Sequence, residues 1–516
     1  MMFCFYMIAV TSAYFSDVLN AVATEAIIKR LRDAVHRSIQ RFTYQHYMNC
    51  ETGDLIQRSS SDIETVRKLF STQLVNAFGS IATIILVIIV MSLINLKLAM
   101  ISISLCIVIS FLSYVFYGKI GKIFKETDEA ESQLMVFIKE ALFNIRVIKA
   151  FNREDYILKL FREKNEEFNI TQNKFMKTFA KFRAVNDFLT FLQLAIIIVV
   201  GGYETISGRM NFGDLIAFVI YINMIIWPIR QMGQLLSDMA KASVSISRIY
   251  EVLDLPEEDY EYGIRDVSFS EKIEFKNVSL VINDNKVLDN ISFVINAGES
   301  LGVIGSTGSG KSMIVYLLLG LFEATSGEIL IDGINIKEIN KRYLREKISA
   351  IMQDSELFNM SILENVKITN DNIDDKSVFN ATKVSSIHNE ILNFSSKYET
   401  IVIDNGGNLS GGQKQRISIA RGLLKPFEVL ILDDSLSAVD MNTDLKINNA
   451  LKSMDKKFTS IFISHRISTI TNCDNIIVMD EGKIVESGKH NDLIMKNGIY
   501  SKINEIQSKE YDVSNE

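Results

Sequence analysis

Apolar positions are spread unevenly along these 516 residues. The first half carries unbroken apolar runs such as SIATIILVIIVMSLI (80–94) and FLQLAIIIVV (191–200), while the second half alternates short apolar stretches with polar turns. A helix crosses a bilayer with about 20 apolar residues. Five segments reach or approach that length: Met2–Ala23, Asn76–Ile94, Leu98–Tyr117, Val185–Tyr203 and Leu215–Ile229, the last of them short. Two connections between them are tight, at Asn95-Leu96-Lys97 and over 204–213. The other two, over 24–74 and 118–184, are long and rich in Lys and Arg, which places them on the cytoplasmic side. The second contains KETDEAESQLMVFIKEALFNIRVIKAF (125–151), charged yet helical in period. The spans are therefore expected to continue as long helices beyond the bilayer.

After DLPEE (254–258) the pattern changes, and the acidic, polar stretch over 256–270 reads as a linker. KIEFKNVSLVI (272–282) and NISFVINAGESLGVIG (290–305) read as strands, followed by GSTGSGKS (305–312) and the apolar helix MIVYLLLGLF (313–322). Strand, glycine-rich turn and helix in that order make a phosphate-binding P-loop. Gly305, Ser306, Thr307, Gly308, Ser309 and Gly310 let backbone N–H groups converge on phosphate oxygens, and the helix N-terminus adds positive potential. Lys311 is expected to reach the β- and γ-phosphates of ATP and Ser312 to ligate Mg2+. Further on, VLILDD (429–434) reads as a buried strand that ends in paired acids, so Asp433 is expected to hold the same metal.

Charge and cysteines narrow the class. The net charge is −7, so no basic field invites nucleic acid. Cys4, Cys50, Cys106 and Cys473 show neither metal spacing nor a disulfide pattern, as suits unpaired thiols in a reducing compartment. No basic stretch or small-residue cleavage site marks the N-terminus as a cleavable signal. His36, His46, His388 and His490 read as surface or packing residues. Polar residues within the spans are candidates for contact with a transported substrate: Asp17, Asn20, Asn186, Asp187, Asn223, and Arg230 beside Trp227-Pro228. The plainer reading is snorkelling at the membrane edge for Asp17, Asp187 and Arg230, and a simple kink at Pro228.

Five further stretches fall in order behind the P-loop: MQDSELF (352–358) with Gln353, LSGGQKQR (409–416), LILDD (430–434), SAVD (437–440) and ISHR (463–466) with His465. In the first half, TGDLIQRSSSDIETVRKLFS (52–71) and EALFNIRVIKAFNRED (140–155) add to the pattern. With these, nearly the whole chain resembles a half-transporter of the ATP-binding cassette (ABC) exporter family. The resemblance implies an α-helical transmembrane bundle with long cytosolic helical extensions, followed by an α/β P-loop NTPase domain of the ABC ATPase type. It implies a membrane domain over 1–255, the linker, a nucleotide domain over 271–508 and a polar tail over 509–516. It also implies ATP-driven export across the cytoplasmic membrane by alternating access, with ATP and Mg2+ as cofactors.

Roles follow at matching positions. Gln353 would sit near Mg2+; His465 would touch the γ-phosphate, though a packed core histidine is the plain alternative. Ser410, Gly411, Gly412 and Gln413 would contact the nucleotide of a second half-transporter, though Ser410 also reads as an ordinary helix start. Asp440 would lie at the dimer seam. Segments near Glu51–Leu55 and Asn144–Asn152 would join the domains, the first by docking on the partner's nucleotide domain.

The sequence departs from the family at four places. Asp434 stands where a glutamate usually polarises the attacking water, and it is one methylene shorter. Ile282 stands where an aromatic usually stacks on adenine. Asp404 replaces a glutamate ahead of the signature. The first of six usual spans is missing, which reads as a truncation or as a five-span protein. Slow hydrolysis and an intact LSGGQ together fit one subunit of a heterodimer with unequal sites. A homodimer in which Asp434 suffices, and a nucleotide-gated regulator or channel, remain the alternatives. The cargo is not legible.

Overall fold

The computed structural model describes residues 2–370, 373–403, 405–454 and 457–514, apart from the side chains at 2, 113, 117, 227, 229–234, 236, 237 and 509–514. Asp404 and the side chains of Trp227 and Arg230 thus lie outside the described residues. The chain divides into two compact units, one of Met1–Arg41 with Cys50–Leu255 and one of Phe42–Asn49 with Pro256–Glu516.

The first unit is helical: α1 (Met2–Arg41), α3 (Thr52–Gln57), α4 (Ile63–Lys68), α5 (Leu74–Ile94), α6 (Leu96–Phe143), α7 (Ile145–Ala150), α8 (Glu154–Ile206) and α9 (Phe212–Leu253), with α2 (Tyr44–Asn49) belonging to the second. Among the described residues four helical stretches are long and apolar enough to cross a membrane, Phe3–Arg41, Thr52–Ile94, Leu96–Phe143 and Glu154–Ile206, and Phe212–Ile226 is a shorter apolar helix. The last matches the short fifth segment expected from sequence. Pro228 does not end α9, which runs on to Leu253.

Two π-helical turns, at Arg58–Asp62 and Leu69–Gln73, join α3, α4 and α5. The serine run explains the first, because hydroxyls compete with backbone N–H groups for carbonyls. Ser60 Oγ donates to Ile56 O at 2.6 Å and Ser61 Oγ to Gln57 O at 3.2 Å. At the second turn Asn20 Nδ2 donates to Ser71 O at 2.7 Å. Asn20 therefore satisfies a backbone carbonyl, a structural task that its place in the sequence did not reveal. Asn223 likewise bonds back to Val219 O at 2.8 Å.

The tight turns are capped. Asn95 is extended (φ −154°) and its side chain accepts from Leu98 N at 3.1 Å. Asn211 and Asp214 form a capping box at the start of α9. Glu204, its side chain only 3% exposed, accepts from Lys97 at 2.8 Å and pairs with Arg209 at 3.1 Å, so one buried acid ties both short connections together.

The second unit holds two sheets. Strands β1 (Lys272–Ile282), β2 (Asn285–Asn296), β4 (Ser326–Ile331) and β5 (Ile334–Asn335) form one, in the order β2-β1-β4-β5. The other runs β10-β9-β3-β8-β7-β6, from β3 (Ser300–Gly305), β6 (Ile348–Ile351), β7 (Val429–Asp433), β8 (Thr459–Ile463), β9 (Asn475–Asp480) and β10 (Lys483–Gly488). Its strands are parallel except β10. Every residue of β7 is buried, as a parallel strand covered on both faces requires. Helices α10 (Lys311–Leu318), α11 (Lys341–Lys347), α12 (Ile362–Lys367), α13 (Asp375–Val384), α14 (His388–Asn393), α15 (Gly411–Leu424), α16 (Met441–Lys452), α17 (Ile467–Ile470), α18 (His490–Met495) and α19 (Ile499–Ser514) complete it. Helix α19 runs through most of the expected tail.

One expectation about the segments between the domains is corrected. The stretch 256–270 is not a free linker. Val267 and Phe269 are buried in the core of the second unit, and Glu258, 8% exposed, accepts from Arg345 Nη1 and Nη2 at 2.7 Å each and from the Tyr260 hydroxyl at 2.8 Å. The segment of the first long connection that packs with the nucleotide-domain fold is Phe42–Asn49, just ahead of Glu51–Leu55. There Tyr44 packs against Tyr316, tilted, and Phe322, edge to face, with ring centroids 5.5 and 5.7 Å apart.

Burial works against ionisation of Glu258, but Arg345 and Tyr260 outweigh it and hold the carboxyl below its ordinary 4.5. The pair's contribution is thus present above about pH 4.5 and is lost as pH falls through the lower folded-state value. Glu258→Gln is expected to cost about 2–3 kcal/mol. It should speed thermolysin cleavage within 256–270 of the full chain at pH 7.

Candidate functional site

Parallel strands β3, β8, β7 and β6 lie side by side, so their carboxyl ends share one edge. That edge collects Gly305 at the end of β3, Asp433 and Asp434 at the end of β7, Ser464 and His465 beyond β8, and Gln353 beyond β6. Ligands of open α/β sheets bind at such edges.

The loop after β3 is shaped by its glycines. A Cβ on Gly305 would sit 2.1 Å from Met479 O. Gly310 caps α10 at φ +91°, and a Cβ there would lie 2.7 Å from Leu288 Cδ2 and 2.9 Å from Val287 O. Ser309 N donates to Ser306 O at 3.2 Å and closes the turn. Lys311 is 7% exposed, and its ammonium donates to Gly305 O at 3.0 Å and Ser306 O at 2.7 Å. Burial pulls its pKa down, against the pull of Asp433 and Asp434 upward. Asp433 is 3% exposed, and burial pushes its carboxyl up, against a hydrogen bond from Ser312. Burial thus opposes charge on both groups, while each favours charge on the other.

The oxygen donors here, Ser312 and Asp433 with Gln353 beyond β6, suit a hard cation. Among the described residues no three His, Cys, Asp or Glu side chains gather as a metal cage. The set matches an ion such as Mg2+ that takes one or two protein oxygens and fills its shell from phosphate and water.

Asp434 is half-buried and left-handed (φ +45°), with its N–H donated to Ile463 O at 2.8 Å. Asp tolerates that backbone better than longer side chains do. Ile282 ends β1 half-buried against the core margin, before the positive-φ pair Asn283 and Asp284. His465 is exposed, and its backbone carbonyl accepts from Gln507 at 2.7 Å.

The segment Ser410 to Gln413 stands at the start of α15, away from the loop after β3 in sequence and held by its own network. Ser410 and Gln413 form a capping box, Ser410 N to Gln413 Oε1 at 2.9 Å and Gln413 N to Ser410 Oγ at 3.2 Å. Glu390 accepts from Gln413 at 3.0 Å and from Arg416 at 2.6 Å. Gly411 and Gly412 pass close to Ala438, where a Cβ on Gly412 would lie 3.0 Å from its carbonyl oxygen. Asp440 caps α16 through Thr443 N at 3.0 Å.

Three residues escaped the sequence reading. Gln415 accepts from Ala438 N at 3.0 Å. Arg466 donates to Val439 O at 2.9 Å and Ser437 O at 2.7 Å. Gln507, from α19, also accepts from Ile467 N at 2.9 Å. The first two lie inside LSGGQKQR and ISHR, so position within a motif could have flagged them; nothing marks Gln507.

Comparison with known proteins settles the family. The model of the ABC transporter transmembrane region matches residues 1–229, and that of the ABC transporter domain matches 288–437. A relative in Bacillus subtilis strain 168, YgaD, provisionally named a multidrug export ATP-binding/permease protein, is 33% identical over 96% of this chain and 86% of its own length. The chain belongs to the ABC transporter family. A relative in Staphylococcus aureus strain NCTC 8325, with the same provisional type of name, is 32% identical over 98% of this chain and 88% of its own length. The structure of a bacterial Atm1-family ABC exporter with ATP bound shares the fold, with a TM-score of 0.82 at 24% identity, over 95% of this chain and 86% of that one. The protein is accordingly a multi-pass membrane ABC exporter half-transporter, with an ATPase domain that couples ATP hydrolysis to transport, and such half-transporters function as dimers.

Lys311→Ala should weaken ATP binding by about 100-fold, the worth of two charge-assisted hydrogen bonds. Gly310→Ala should weaken it too, and also lower the thermal unfolding midpoint, because its Cβ clashes with Leu288 and Val287. Titration of the full chain with a fluorescent ATP analogue, beside thermal scans, separates the two effects.

Proposed function

We propose that this chain is one half of a heterodimeric exporter and contributes the slower of two ATP sites. The observation that carries this reading is Asp434: a carboxylate one C–C bond, about 1.5 Å, short of the usual glutamate must polarise water across hydrogen-bond distances of about 2.6–3.2 Å. Ile282 offers adenine a packing surface without an aromatic face. The capped, intact Ser410–Gln413 segment suits it to complete the partner's competent site.

On this reading Lys311 exchanges the carbonyls of Gly305 and Ser306 for phosphate oxygens. Bound Mg2+ would neutralise phosphate charge, with Ser312, Asp433 and Gln353 as its protein oxygens. Asp434 and His465 face the γ-phosphate end, and Ser410, Gly411, Gly412 and Gln413 clamp the nucleotide of the other half. Closure of the two nucleotide domains then switches the spans from inward- to outward-open, a motion between packed rigid bodies. The relatives' names point to drug-like cargo.

The homodimer reading draws on one observation of its own. The left-handed backbone at Asp434 favours aspartate on conformational grounds, so the substitution need not signal lost activity. ATP turnover of the purified chain decides between them. The asymmetric reading expects slow turnover by the chain alone, changed less than twofold by Asp434→Asn and raised several-fold by Asp434→Glu. Brisk turnover by the chain alone, abolished by Asp434→Asn, would favour the homodimer. Uptake against a gradient into inverted vesicles, as opposed to passive ATP-gated flux, separates a pump from a channel.

A further inference from the structure

The membrane unit contains a cavity of about 230 Å3 between α5, α6, α8 and α9. Its walls are mostly apolar, with Ile84, Ile88 and Met91 from α5 and Ile222 and Ile225 from α9. Gln193 of α8 lines it and is 1% exposed. Its amide nitrogen donates to Ser102 O at 3.3 Å and lies 3.3 Å from Cys106 Sγ. The Ser102 carbonyl fixes the amide's orientation, since it can only accept. Gln193 Oε1 is then buried with no hydrogen-bond partner. The Ser102 hydroxyl is already committed, donating to Leu98 O at 2.9 Å.

A buried acceptor without a donor is costly, and a leucine of similar size would avoid the cost. Water is a poorer occupant, because it needs two to four polar partners and, beyond Gln193, the lining offers only Ser102, Cys106 and Ser110, the first with its hydroxyl already committed. A site of this kind suits an apolar molecule with a single donor. An empty apolar cavity of about 150 Å3 accommodates benzene, so this space has room for a substituted ring.

We propose that this cavity, within the bundle of a single chain, binds a small apolar molecule carrying one O–H or N–H group, which donates to Gln193 Oε1. Gln193 provides the orientation and the α5 and α9 side chains provide the contact area. This assignment goes beyond the ATP-site reading and does not depend on how Asp434 behaves.

The test uses a matched pair of probes, 1-naphthol and 1-methylnaphthalene, which are similar in size and differ in the donor. Thermal unfolding of the full purified chain in detergent is followed as each probe is added. Wild type should be stabilised by 1-naphthol at about tenfold lower concentration than by 1-methylnaphthalene, the worth of one buried hydrogen bond. In Gln193→Leu the two probes should become equivalent, with Gln193→Met as a second variant should the leucine not fold. Equal potency of the probes on wild type, no stabilisation by either, or a naphthol preference that survives removal of Gln193 would each overturn the proposal.

Discussion

The nucleotide-binding unit is organised around one electrostatic constraint: a lysine and an aspartate must carry their charges at the edge of a largely buried, mostly parallel sheet. Lys311 and Asp433 are nearly buried, and burial drives each towards its neutral form. A buried charge without compensation is too costly to persist. Here the cost is contained by local means. Two carbonyls of the P-loop accept from the ammonium, and a serine hydroxyl at the start of α10 serves the carboxylate. Strand β7 can stay wholly apolar up to Asp433, its last residue, and β3, which ends at Gly305, carries no charge at all. Each group also offsets part of the other's cost.

What sequence disclosed and what it hid divide along the range of the interactions. Spans, P-loop and the acid-terminated strand are local patterns, set by periodicity or by spacing within a dozen residues, and they were legible. The linker over 256–270 was misread because what pins it, Glu258 to Arg345, joins positions far apart in the chain. Phe42–Asn49 was missed as a part of the nucleotide unit for the same reason, since Tyr44 meets rings beyond residue 310. Composition there is polar and aromatic, as in any loop, and no local rule says what it will pack against. Gln507 lies at the end of the expected nucleotide domain, and its partners at His465 and Ile467 are some forty residues away.

The membrane unit shows a second constraint at work. Where no water is available, each polar group must find a partner in the protein. Asn20 meets a carbonyl at a π-helical turn, and Asn223 meets one in its own helix. Glu204 is shared between a lysine and an arginine. These residues were read as candidates for cargo contact or, for Glu204, not singled out at all, yet their bonds explain them structurally. Gln193 differs from them because only half of its amide is accounted for.

The same bookkeeping bears on whether Asp434 can make up its missing methylene by moving its backbone. Its N–H is tied to Ile463 O, and its carbonyl accepts from Ser437 N at 3.2 Å. The segment that follows is held from two further sides, by Gln415 on the signature helix and by Arg466 beyond β8. Gln507 in turn bridges His465 and Ile467, fixing the loop that carries Arg466. Advancing the carboxylate by about 1.5 Å would strain or break several of these bonds at about 1 kcal/mol each. A bridging water is the cheaper remedy, and a relayed proton transfer is slower than a direct one when the relay must be ordered. The network that makes this edge rigid thus also resists any backbone shift at Asp434.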